Sequence, residues 1–138
     1  GSWPWHWGRQ VSAGRGGQLE ETGGGLRAPG DSVLLSCRGY GFNFRVYTIL
    51  WYRQAPGGGF EWVSSIHPQS TETAAAVEGR VNVSRDNSRS EASLSLSALQ
   101  PQDSARYYCA AGTHRKEKQL SFNRKLLCPP RVQKLWGE

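Results

Sequence analysis

Three cysteines and three histidines are the side chains here best suited to covalent or metal chemistry: Cys37, Cys109 and Cys128, with His6, His67 and His114. A zinc site needs three or four ligands at usable spacing. His114 and Cys128 share one segment, but His6 and His67 stand far from it in sequence, so no metal or other cofactor is expected. No serine, histidine and acid form a local nucleophile signature, and neither Gly-Gly-Gly run leads into Lys-Ser or Lys-Thr as a phosphate loop would. An enzyme is therefore not the expected class. An odd cysteine count leaves one thiol over if two pair. Asn82-Val83-Ser84 fits the acceptor pattern for an N-linked glycan.

Charge offers a different chemistry. The formal net charge of the 138 residues is +6. Residues 1–111 carry ten basic and nine acidic side chains, whereas residues 112–138 carry seven and two. The positive field thus belongs to the end of the chain, where "THRKEKQ" is a solvated basic run and "LSFNRKLL" is mixed. Arg115, Lys116, Lys118, Arg124 and Lys125 suit charge-assisted contacts to carboxylates or phosphates. Charge alone does not choose among an acidic protein patch, nucleic acid and an anionic membrane.

The elements that must position these groups read as strands. The length fits one domain with its own core. Alternation with period two puts Val33, Leu35 and Cys37 on one face, and likewise Val81 with Val83, and Ala92 with Leu94 and Leu96. "ILWYRQ" and "FEWVSSI" are further short apolar runs. Turn clusters such as "APGD", "APGGG", "HPQS" and "RDNS" separate them, and "LQPQDS" is the one expected helical turn. Short strands of this kind predict an all-β, antiparallel sandwich. No apolar run of 18 residues is present, so a membrane-spanning helix is not expected.

Cys37 and Cys109 end two inward-facing strands; Trp51 lies between them, and Tyr107 stands two residues before Cys109 with Asp103 four before Tyr107. Together with "GGQLEETGGGLRAPGDSVLLSC", "WYRQAPGGGFEWVSSI", "GRVNVSRDNS" and "DSARYYCAA", this pattern resembles antibody heavy-chain variable domains over about residues 18–137. The resemblance implies an immunoglobulin V-set sandwich with a Cys37–Cys109 disulfide, Trp51 packed on it, a tyrosine corner at Tyr107, and an Arg80–Asp103 pair. Cys128 would then be an unpaired thiol. An oxidising compartment is implied, with the protein secreted or displayed on the cell surface.

By the same resemblance, recognition belongs to three hypervariable segments at one end of the sandwich: residues 41–48, 66–73 and 110–135. The expected antigen contacts are Phe44, Arg45, Tyr47, His67, Gln69, His114, Arg115, Lys116, Lys118, Phe122, Arg124 and Lys125. Phe122, Leu126 and Leu127 are apolar within the third segment and are expected to pack on the face that a light chain would cover. On that face Tyr52 replaces the usual Val and Phe60 the usual Leu, while Gly59, Trp62 and Gln54 are retained. This favours an unpaired domain, with a light-chain-like partner left open. A protein antigen with an acidic patch is the expected partner, ahead of nucleic acid. Two alternatives follow from the resemblance: the outer variable domain of three-domain T-cell receptors, or an assembly component like a surrogate light chain, whose final strand a partner supplies.

The two ends depart from the pattern. Family members continue past Trp-Gly into a final strand, and here the sequence reads "WGE". The strand ending at Cys109 should therefore have an edge to cover. Residues 1–17, rich in Trp and lacking the basic-then-apolar design of a secretory leader, read as an extension of a mature chain. Part of residues 5–13 is expected to lie along that edge, with residues 18–138 forming the variable domain.

Overall fold

The structure is a computed structural model and describes residues 17–112 and the backbone of residues 126–127. Nine strands are described: β1 (Gln18–Gly23), β2 (Val33–Tyr40), β3 (Thr48–Gln54), β4 (Phe60–Ile66), β5 (Thr71–Thr73), β6 (Val81–Asp86), β7 (Glu91–Leu96), β8 (Arg106–Gly112) and β9 (Leu126–Leu127). They form two antiparallel sheets, ordered β1-β2-β7-β6 and β5-β4-β3-β8-β9. The expected sandwich is present.

Alternation explains why these segments pair face to face. Along β2, Val33, Leu35 and Cys37 are buried while Leu34, Arg38 and Tyr40 are exposed. In β7 the buried set is Ala92, Leu94 and Leu96, and the register sets Leu94 beside both Leu35 and Val83. Trp51 and Tyr107, both fully buried, bring the second sheet into the same core. Cys37 and Cys109 are bonded across the sandwich with their Cα atoms 6.5 Å apart and a sequence separation of 72. Closing a loop of that length stabilises the fold by about 4 kcal/mol through the unfolded chain.

At one end of the sandwich, a short turn at Pro101–Asp103 leads into β8, as "LQPQDS" suggested. Its Asp103 carboxylate is buried and accepts hydrogen bonds from Arg80 at 2.8 and 3.1 Å and from Arg53 at 2.9 Å. The Tyr107 hydroxyl donates to the Asp103 carbonyl at 2.7 Å, completing the tyrosine corner. Burial alone would raise the Asp103 pKa, but Arg80, the Gln100 N–H and Arg53 outweigh it and hold the carboxyl below its ordinary value. For Arg53 burial works downward, and Tyr107, Glu61 and Asp103 more than reverse it, so the guanidinium stays above the arginine norm. The Arg80–Asp103 pair is thus the expected one, and Arg53 with Glu61 extends it.

The β8 edge differs from expectation in one respect. Leu126 and Leu127, read as loop, form β9 and pair with Tyr107 and Arg106. The backbone donors and acceptors of an edge strand favour such capping. The expected pairing of residues 5–13 and the state of Cys128 lie outside the described residues.

Candidate recognition surface

β3 starts at Thr48, the last residue of the first hypervariable segment. Before it the chain makes one tight turn over Phe44–Val46. Phe44 is 2% exposed and belongs to the core, which corrects its expected role as a contact residue. Its apolar ring gains more from burial than from solvent, so it supports the turn from beneath. Arg45 and Val46, one and two positions on, are exposed instead. Tyr47 is half-buried, its ring edge-on to Phe42 at 5.0 Å. Gly39 gives these rings room: a Cβ there would lie 2.8 Å from both Phe42 Cζ and Phe44 Cδ1.

The second segment is the hairpin between β4 and β5. The His67 N–H donates to the Ser70 carbonyl at 2.8 Å, closing the turn through Pro68 and Gln69, and Gln69 is exposed at its tip. The His67 ring faces inward, with Nδ1 2.9 Å from Thr48 Oγ1 and Nε2 3.4 Å from Glu72 Oε1. Thr48 in turn pairs with Gly112, where the third segment departs from β8. β8 runs through Gly112 with Ala110 and Ala111 fully buried, so the first three residues of the third segment continue the strand.

A residue absent from the expected set holds the first two segments together. Arg85, on β6, donates to the Ile66 carbonyl at 3.0 Å, the Phe44 carbonyl at 2.9 Å and Asn87 Oδ1 at 2.9 Å, with its guanidinium carbon 5.0 Å from the Phe44 ring centre. Burial pulls its pKa below the ordinary arginine value. Nothing in "NVSRDNS" marks this arginine as different from a solvated one; only its position in the folded sheet does. Glu21 was also missed, although a signal existed. It shares a face with Leu19 by period two, is fully buried, and accepts from the Cys109 N–H at 2.5 Å.

His114, Arg115, Lys116, Lys118, Phe122, Arg124 and Lys125 lie outside the described residues. Arg45, Tyr47, His67 and Gln69 are brought to one end of the sandwich, opposite Asp103. Among the described residues no group of three or more His, Cys, Asp or Glu could hold a metal ion. No helix among them is long and apolar enough to cross a membrane.

On the outer face of the five-stranded sheet, the Phe60 and Tyr108 rings meet edge-on at 5.4 Å, and the Trp62 indole N–H donates to Ser65 Oγ at 2.8 Å. Tyr52 opposite Tyr108, and Ala110 opposite Leu50, are only 7% and 0% exposed within this single chain.

A two-sheet antiparallel sandwich with a disulfide between the sheets, a buried Trp against it and a tyrosine corner defines an immunoglobulin variable-type fold. The model of the immunoglobulin V-set domain matches residues 26–127, and the chain belongs to that family. V-set domains are not generally enzymes, and they are typically extracellular or displayed on cell surfaces.

Proposed function

We propose that this chain is a recognition module, secreted or surface-displayed, that binds a protein target through the loop end and works as an unpaired domain. The observation carrying this reading is the junction at Thr48. One residue hydrogen-bonds the second segment through His67 and pairs with Gly112 at the root of the third. All three segments therefore spring from one small patch on a rigid frame, as a composite binding surface requires. The seven basic against two acidic side chains of residues 112–138 favour a target with an acidic patch. Burial of Tyr52 and Ala110 within the lone chain supports the unpaired reading, because a pairing domain leaves that face to its partner.

The test is capture of candidate acidic surface proteins by the immobilised chain, beside a version with residues 113–125 replaced by a short Gly-Ser turn. Retaining Leu126 and Leu127 keeps β9 in place. Loss of capture by the replaced version supports the reading, and undiminished capture refutes it. A chain that elutes as a stable monomer supports the unpaired reading; one that is stable only in a complex refutes it.

A further inference from the structure

Asn82-Val83-Ser84 stands on β6, the outer edge of the four-stranded sheet. Val81 and Val83 pack against the core, whereas Asn82 and Ser84 are exposed on the opposite face. Residues two apart in a strand share a face. The acceptor amide and the hydroxyl that its recognition requires are therefore presented together.

The register gives this position a neighbour. Asn82 is opposite Ser95 of β7, and Ser95 is opposite Leu34 of β2. One row of side chains thus crosses the outer face from Asn82 to Leu34, two strand spacings or about 10 Å away. Leu34 is 56% exposed, more than Leu26, Tyr40 or Val46. Ser93 and Ser36 continue the same face one step along the strands. The β6 edge is where a second copy could add a strand, and exposed Leu34 gives such a contact one apolar side chain on the adjoining face.

Asn82 also lies at the end of β6 remote from the loops. Arg80, just before this strand, binds Asp103, while Arg85 near its other end reaches Phe44 and Ile66. A substituent on Asn82 leaves the loop end open.

We propose that Asn82 is an N-glycosylation site whose glycan shelters Leu34 and the β6 edge. The donor is a lipid-pyrophosphate-linked oligosaccharide. The Asn82 amide nitrogen bonds to C1 of its first sugar, the bond from C1 to the phosphate oxygen breaks, the lipid pyrophosphate leaves with the electron pair, and the amide proton passes to base. The Cys37–Cys109 disulfide requires passage through an oxidising secretory compartment, which in eukaryotic cells is also where this donor is used. The proposal does not depend on what the loops bind.

The test is secretion of the full chain from a eukaryotic host, with intact mass measured before and after treatment with a glycan-releasing amidase. Most wild-type molecules should carry one glycan whose release converts Asn82 to Asp. N82Q and S84A should lack it, and Ser84→Thr should keep it. A secreted wild-type chain without added mass overturns the site. For the sheltering role, glycan-free N82Q should self-associate several-fold more at high concentration than the glycosylated chain, and N82Q with Leu34→Ser should revert. An N82Q protein that stays as monomeric as wild type overturns that role. Resistance of Cys37 and Cys109 to thiol reagents in every variant separates these results from misfolding.

Discussion

Thr48 Oγ1 and His67 Nδ1 lie 2.9 Å apart, tying the start of β3 to the hairpin of the second hypervariable segment. Thr48 is 8% exposed, so the bond is largely screened from water. Thr48→Val keeps the shape and removes the hydroxyl. It should cost about 1 kcal/mol, the net worth of one such hydrogen bond. The urea midpoint measures the cost, and amide exchange at His67, whose N–H caps the turn to Ser70, should quicken. An unchanged midpoint and exchange rate would show that the two segments are held independently.

Arg85 should matter more than any single contact residue for the geometry of the loop end. Arg85→Met keeps an unbranched side chain of similar length but loses the guanidinium over Phe44 and three hydrogen bonds, two of them to loop carbonyls. The expected loss is about 2 kcal/mol, since bonds to a charged donor exceed neutral ones. Arg85→Lys should recover only part, because one ammonium cannot reproduce a planar fork. Denaturation curves of the three proteins give the order directly.

Asp103 sets the acid limit of the fold as far as this cluster is concerned. Its folded-state pKa is lower than the unfolded value, so the associated stability is fully present above the unfolded pKa of about 4. That stability is lost as pH falls through the folded value. Stability measured from neutral pH downward should fall below about pH 4, and Asp103→Asn should flatten that part of the curve. Asp103→Ala removes the carboxylate that Arg80 and Arg53 share, leaving Arg53 only Glu61, and should cost about 3–5 kcal/mol at neutral pH. A normal acid limb in the Asn variant would place the titration elsewhere.

Gly39 is tested by the smallest possible change. The added methyl of Gly39→Ala would press on the Phe42 and Phe44 rings at 2.8 Å. Overpacking of this kind costs about 1–3 kcal/mol. The displaced rings should also lower affinity for a target bound through Arg45 and Tyr47. A variant as stable as the parent would mean that the rings yield freely.

The sandwich was legible because its signal is local. Val33, Leu35 and Cys37 announce their face by period two, and Asp103-to-Tyr107 spacing announces a corner that the hydroxyl bond then realises. The Arg80–Asp103 pair came from the resemblance alone, since the family pattern carries it. What escaped was set by tertiary position. Phe44 looks like any aromatic in a loop, yet the turn at Phe44–Val46 points it into the core. Arg85 looks like any strand arginine until β6 is placed beside both loops. Leu126 and Leu127 read as loop because two residues are too short for a periodic signal, and only the waiting edge of β8 makes them a strand.

The grip of Arg85 has one more consequence. It holds Phe44 and Ile66 by their main-chain oxygens, which every amino acid supplies alike. Side chains at the exposed positions beside these anchors can turn over in evolution while the path of the backbone stays fixed. One frame can therefore display many alternative surfaces, and novelty in what is touched need not be bought with a new fold.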